Sequence, residues 1–175
     1  MVDTLTVQEL EGFGLAAVMA RRGADRDRLA KSLGVTQLPD RARFAKGEQI
    51  RLLGTGPGTW LALAETAPPD WAGGVMTSLA GQASVSDQSA AYRLFRLRGG
   101  GAQTMLQRGL YVDLEPTVFP PGSVAVAGLA RMGVVLWRPA PDIFDLAVFR
   151  SYAASLTAWM EAVAADLPFS VQWIG

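Results

Sequence analysis

The sequence predicts an α+β fold made of two small lobes of ferredoxin-like type. Three observations carry that expectation. Strand–helix–strand–strand units recur in both halves of the chain, the order from which such lobes are built. The helical stretches are short, with acidic or proline-marked starts and glycine stops, while the strands are compact apolar runs. No repeat, low-complexity tract or long linker interrupts the 175 residues, a length that suits one domain or two small lobes sharing a core.

Taken in order, Leu5–Val7 and Leu15–Met19 read as strands separated near Glu11-Gly12. A helix suits Ala24–Leu33, with Asp25 and Asp27 at its positive end and Gly34 as its stop. Thr36–Asp40 is a loop, Arg41–Leu53 is strand in part, and Thr59–Ala64 is a clearer strand after a glycine-rich turn at Gly54–Gly58. Pro68-Pro69-Asp70 ends that strand and opens a helix over Trp71–Leu79, stopped by Gly81. Ala83–Val85 and Ala91–Leu97 are strands on either side of Ser86–Ser89, and Gly99–Arg108 is a short helix with Ala102, Met105 and Leu106 on one stripe. Pro116–Pro121 reads as a stiff, extended connector. Val124–Leu129 pairs with Val134–Trp137, Ile143–Phe149 forms a third edge, and Arg150–Asp166 is the last helix, followed by an apolar tail at Phe169–Ile174.

Composition narrows function. Half the residues are hydrophobic, 18% are charged, and Lys+Arg equals Asp+Glu, so nothing electrostatic recommends a nucleic acid partner. No apolar run is long enough to cross a bilayer, and residues 1–15 hold Asp3, Glu9 and Glu11 without a basic residue, unlike a secretory signal. A cytoplasmic protein is the expectation. The chain has neither cysteine nor histidine, which removes disulfides, thiolate nucleophiles and iron–sulfur ligands, and with them the best general base near neutral pH. An oxygen-only Mg or Ca site would need an acidic cluster, and none of the calcium-loop type is present.

Three motifs invite chemistry and fall short of it. Gly54-Thr-Gly-Pro-Gly58 lacks the following Lys-Ser/Thr of a phosphate loop and runs into a strand, so it reads as a hairpin turn. Gly99-Gly100-Gly101 lacks the spacing of a dinucleotide loop and reads as a strand-to-helix turn. Ser86-Asp-Gln-Ser89 has no base to activate a serine, since Lys31 and Lys46 are the only lysines and neither is suitably spaced. A turn or helix-cap role is the economical reading. No catalytic, cofactor-binding or metal-ligating residue is nominated.

The most specific stretch is Leu110–Trp159. It contains Asp113-Leu-Glu-Pro-Thr-Val-Phe-Pro-Pro-Gly122 and then, past a strand pair, Arg150-Ser-Tyr-Ala153 opening a helix that bears Trp159. Upstream, Val85-Ser-Asp-Gln-Ser89 and Gly99-x-x-Ala102-x-x-x-Leu106 stand in matching order, as does Gly56-Pro-Gly-Thr-Trp60. This pattern resembles the gamma subunit of heterotetrameric sarcosine oxidase, over roughly the C-terminal half. The sequence departs from it at Ala127, where that family often has Thr, and near Thr157, where it often has Trp.

The resemblance implies a single gamma-like domain over 1–175, formed of two closely packed lobes and similar to part of the aminomethyltransferase/folate-binding fold. It also implies a non-catalytic role beside an alpha subunit, with beta and delta completing the complex. In that family the partner subunits carry FAD, FMN, NAD and tetrahydrofolate and convert sarcosine to glycine and peroxide, passing on the one-carbon unit. Two other readings stand: a stand-alone folate-binding or aminomethyltransferase-like protein, and a homo-oligomeric relative without the complex. Against the former, the Lys-Gly-Cys-Tyr-x-Gly-Gln-Glu signature of one folate-fold branch is absent, and no acidic residue can be matched to a pterin pocket.

Candidate partner-contact residues are Phe119, Pro120, Pro121, Arg150 and Trp159. The Phe119-Pro-Pro segment offers a preformed ridge, and Trp and Arg are common interface anchors. Phe119 and Trp159 fit a core role equally well. Arg150 sits at the unfavourable end of a helix dipole, which calls for a carboxylate partner such as Asp142, Asp145 or a residue of another chain, although an ordinary solvated Arg fits as well.

Overall fold

The computed structural model describes residues 4–174, which form two sheets and four α-helices among them. The chain divides into two compact units. One joins the N-terminal strand to Ala91 and everything after it; the other is Glu11–Ala90.

The Glu11–Ala90 unit is a ferredoxin-like lobe. Its elements run β2 (Gly14–Ala20), α1 (Arg26–Ser32), β3 (Phe44–Lys46), β4 (Arg51–Gly56), β5 (Thr59–Ala64), α2 (Trp71–Ser78) and β6 (Ala83–Asp87). The sheet order is β3-β4-β5-β2-β6, with every pair antiparallel, so β3 is an extra edge beside a four-stranded βαββαβ core. Local chemistry sets the helix ends. The Asp25 carboxylate accepts from the N–H groups of Asp27 and Arg28 at 2.9 and 3.1 Å, capping α1. At the other end Gly34 takes φ +67°, its N–H bonds to the Lys31 carbonyl, and the Val35 N–H reaches back to Ala30. That double bond pattern is a Schellman stop, and it brings Val35 down onto buried Ala30. The core under the helices includes Val18, Leu29, Leu33, Leu52, Trp60 and Leu79, and the Trp60 indole N–H is satisfied by the Pro39 carbonyl at 3.0 Å.

The other unit contains β1 (Leu5–Leu10), β7 (Tyr92–Arg98), α3 (Gly101–Gln107), β8 (Val124–Leu129), β9 (Met132–Ala140), β10 (Ile143–Phe149), α4 (Ala153–Ala165) and β11 (Val171–Ile174), with a single 3-10 turn at Arg150–Tyr152 before α4. Its sheet order is β11-β1-β7-β10-β9-β8. The same βαββαβ core is present as β7-α3-β9-β10-α4-β11, but β1 is wedged between β7 and β11 and β8 extends the far edge. β1 alternates inward Leu5 and Val7 with half-exposed Thr6 and Gln8, as a strand with one covered face should. Met105, Leu106, Phe144, Leu146, Leu156 and Met160 fill the space between sheet and helices.

Three expectations are corrected. Ile143–Phe149 is an interior strand, hydrogen-bonded to β7 on one side and β9 on the other, in keeping with its unbroken burial from Phe144 to Val148. β4 runs on through Gly54 to Gly56 with a register shift, so the turn shrinks to Pro57-Gly58; Gly54 stays in line because its N–H bonds to the Arg43 carbonyl and its carbonyl accepts from Ala42. Pro116–Pro121 is folded rather than extended, since the N–H groups of both Val118 and Phe119 turn back to the Glu115 carbonyl at 2.9 and 2.8 Å. The apolar tail, open to packing or pairing from sequence, pairs: β11 lies parallel to β1, with Val7 opposite Trp173.

Candidate functional site

The motif that singles out this chain, Asp113–Gly122, is held in shape by one side chain. Arg138 lies on β9 and is only 3% exposed. One guanidinium nitrogen donates to the carbonyls of Leu114 (3.0 Å) and Phe119 (2.8 Å), and another donates to the Pro141 carbonyl. Its guanidinium carbon sits 4.7 Å from the centre of the Phe144 ring, so the cation rests on an aromatic face. Burial lowers its pKa from the ordinary arginine value, and the nearby Glu115 carboxylate acts in the opposite direction. The planar fork of Arg suits this task because it reaches three carbonyls from one rigid plane. Around it the Asp113 carboxylate accepts from the Glu115 N–H at 2.9 Å, and Gln103 donates to Glu115 at 3.1 Å. Sequence reasoning missed Arg138. The available signal was a lone cation continuing the apolar run Val134–Trp137.

The structure does not bring the candidate contact residues into one patch. Phe119 is 5% exposed and belongs to the core of its unit, so its ring is withdrawn from any docking surface. Pro120 is half-buried and Pro121 exposed. Trp159 packs against the same core with its ring over Gly109, where even a methyl group would come within 2.6 Å of it. Arg150 is exposed, and among the described residues it has no carboxylate partner. Its N–H bonds to the Ala91 carbonyl at 2.8 Å, next to the stacked rings of Tyr92 and Phe149. That is the Phe149 end of β10. The Arg138 clamp closes on Pro141, at the Ile143 end, about 20 Å away for a strand of this length.

Asp145, considered as a partner for Arg150, is taken by Arg96. The two face each other across β10 and β7, and the guanidinium grips the carboxylate at 2.7 and 2.8 Å. The Asp145 side chain is buried and that of Arg96 nearly so. Such a two-point contact satisfies both groups where water cannot.

Ser86 and Asp87 belong to β6, paired with Ala17 and Ala16 of β2, and the turn begins after them at Gln88. Asp87 accepts from the Ser89 N–H at 2.9 Å and from its hydroxyl at 2.7 Å, and both bonds, the backbone one foremost, hold its carboxyl below the usual 3.8. Ser89 also receives the Leu15 N–H at 3.0 Å, so its oxygen is engaged in joining β2 to this turn. Among the described residues no three His, Cys, Asp or Glu side chains gather as a metal site would require. No helix of the described residues is long and apolar enough to cross a membrane.

The Glu11–Ala90 unit has an open hollow of about 520 Å³ lined by Lys46, Arg51, Leu63, Glu65 and Trp71 among others. Sequence reasoning did not foresee it, because its wall combines the β3–β4 and β5–α2 connections. Arg51 pairs with Glu65 at 3.0 Å and lies over Phe44, so these charges balance each other at its edge.

No family model and no curated protein matches this chain. Solved structures do. A chain of the heterotetrameric sarcosine oxidase from Corynebacterium sp. U-96, solved in complex with pyrrole 2-carboxylate, superposes with a TM-score of 0.84 at 23% identity, over 93% of this chain and 84% of that one. The aminomethyltransferase T of the glycine cleavage system from Bartonella henselae superposes with a TM-score of 0.68 at 13% identity, over 98% of this chain and 48% of its own. This chain thus spans about half of that transferase. At these identities the likeness establishes the fold: a mixed α+β architecture shared with sarcosine oxidase and aminomethyltransferase chains.

Proposed function

We propose that this chain is a non-catalytic, gamma-type subunit of a sarcosine-oxidase-like complex. The carrying observation is the end-to-end superposition on a chain of comparable length taken from such a complex. The clamped Asp113–Gly122 turn supports it, because the segment that carries the most specific part of the sequence resemblance is held as one hydrogen-bonded turn, anchored by buried Leu114 and Phe119. The chain's side chains support the passive role: the Ser89–Asp87 pair is spent on a turn, and no histidine or cysteine exists to act as base or nucleophile. In this proposal the alpha subunit is the main partner, with beta and delta beside it. FAD, FMN, NAD and tetrahydrofolate belong to those partners, and the assembly works in the cytoplasm.

Co-expression with sarcosine oxidase alpha, beta and delta subunits tests the proposal. The expected result is a stoichiometric complex that oxidises sarcosine, while the purified chain alone shows neither flavin absorbance nor sarcosine-dependent peroxide. A chain that never enters the complex, or that carries flavin by itself, sinks it.

A stand-alone, aminomethyltransferase-like ligand binder is the second reading. The hollow at Lys46–Trp71 favours it, since it joins an aromatic wall to charged groups of both signs. Calorimetry with tetrahydrofolate decides: low-micromolar affinity would promote this reading.

A further inference from the structure

At the Phe149 end of β10 an exposed aromatic face adjoins a cation. Phe149 stands opposite Tyr92 in the β10–β7 register, and their rings stack with centroids 4.5 Å apart. Side chains alternate along a strand, and Val148 points into the helix-covered core, so Phe149 points to the other face of the sheet. Tyr152 follows three residues later across the 3-10 turn, the spacing at which side chains of such a turn eclipse. Phe149 and Tyr152 are 45% and 46% exposed, so two large aromatic side chains within four residues leave apolar surface in water.

Arg150 lies between these two aromatics in the chain, exposed and without a carboxylate partner among the described residues. Its surroundings offer none. Asp145, on the same face of β10, is gripped by Arg96. α4 has no acidic residue in its first turn, and the positive end of the helix adds to the charge of Arg150. Arg93, next to Tyr92, alternates onto the helix-covered face and has Glu9 at 3.5 Å. The face therefore combines Tyr, Phe and Arg, residue types that anchor interfaces, with a single sign of charge. That sign argues against a second copy of this chain. A twofold contact would set Arg150 against its own counterpart with no carboxylate between them.

We propose that Tyr92, Phe149, Arg150 and Tyr152 form a docking face for a partner segment that carries an Asp or Glu beside an apolar side chain. The carboxylate accepts from the Arg150 guanidinium, and the apolar neighbour covers Phe149 and Tyr152. Stacking already fixes the Tyr92 and Phe149 rings, which lowers the ordering cost of docking on them. A basic segment would meet a like charge with nothing to offset it, so the face selects the sign of its occupant. The identity of the partner rests on the subunit reading above: it is the alpha subunit.

Binding of the full chain to purified alpha subunit, followed by interferometry at low and high salt, tests the docking. Arg150→Glu and Tyr152→Ser should each weaken binding by about tenfold or more at low salt, and Arg150→Glu should flatten the salt dependence. Arg131→Glu reverses another exposed cation, in the β8–β9 hairpin, and should leave the affinity unchanged. Thermal midpoints should stay level, since all three side chains are exposed. If Tyr152→Ser lowers its midpoint, Arg150→Glu decides alone. Wild-type binding that survives both substitutions, or that Arg131→Glu weakens equally, overturns the docking face and leaves the subunit reading intact. Self-association of the isolated chain that Arg150→Glu disperses assigns the face to a second copy and also overturns the proposal. A wild-type chain that does not bind the alpha subunit at all sinks the subunit reading, and the docking face falls with it.

Discussion

The two units share one topology and use it differently. Each contains a βαββαβ core, with β4-β5-β2-β6 in one and β9-β10-β7-β11 in the other, the second interrupted by β1. Among the described residues, both charged side chains that are buried outright, Arg138 and Asp145, lie in the unit with β1, and so does the clamped Asp113–Gly122 turn. The Glu11–Ala90 unit keeps its ion pair, Arg51–Glu65, at the rim of an open hollow. The difference teaches where each unit's geometry is enforced. Buried ionic contacts tolerate few arrangements, because a charge removed from water must find its partner. A rim pair leaves its surroundings free to vary.

Substitutions of one ion-pair carboxylate in each unit can break this contrast. Asp145→Ala should produce the largest effect, about 3–5 kcal/mol of lost stability, because it leaves the largely buried Arg96 guanidinium without its bidentate carboxylate. Glu65→Ala, half-exposed, should cost under about 1 kcal/mol. Urea unfolding of the two variants side by side provides the check, and equal losses would dissolve the distinction between the units.

Arg138→Met should cost about 3 kcal/mol, since two buried carbonyls and a partly buried one lose their donor while the apolar volume is roughly kept. Limited proteolysis should then cut within Asp113–Gly122 and spare Gly54–Gly58. Protection of the motif in this variant would mean that its prolines, not the clamp, hold it.

A smaller change of opposite sign is expected at the β8–β9 hairpin. Ala130 and Arg131 take φ of 48° and 69°, values that favour glycine, with the Ala130 N–H fixed to the Gly109 carbonyl at 3.0 Å. Arg131→Gly should stabilise by about 0.5–1 kcal/mol, after allowing for the freer unfolded chain. A thermal midpoint that stays level or falls would show that the Arg131 side chain contributes more than its backbone costs.

The smallest expected effect is a pH dependence in the Glu11–Ala90 unit. The folded pKa of Asp87 is depressed, so its contribution is present above the ordinary value of 3.8 and is lost as pH falls through the lower folded value. Asp87→Asn should flatten that part of the acid-unfolding profile. An unchanged profile would assign the acid sensitivity to other carboxylates.

Much of this architecture was legible beforehand because it follows from local chemistry. The Asp25 cap, the Gly34 stop, the Gly99–Gly101 strand-to-helix turn and the compact apolar runs each act within a few residues, and the elements appear close to where those signals stand. The Phe119–Gly122 motif could be picked out as special, yet whether Phe119 faced inward could not be read from it. The docking set joined residues that stand at opposite ends of β10, because sequence order says nothing about which end of a strand a loop returns to.

What the sequence determined by itself was the kind and order of the elements, and the absence of histidine and cysteine chemistry. What only the tertiary structure decided was partnership. It recruited β1 from the far end of the chain into a slot between β7 and β11, made Ile143–Phe149 an interior strand, and gave Asp145 to Arg96 rather than to Arg150. It also closed Arg138 over a turn whose carbonyls lie up to 24 residues away. The physical reason is that helix caps and turns are satisfied by neighbours in the chain, whereas strand edges and buried charges are satisfied by whatever the fold brings beside them.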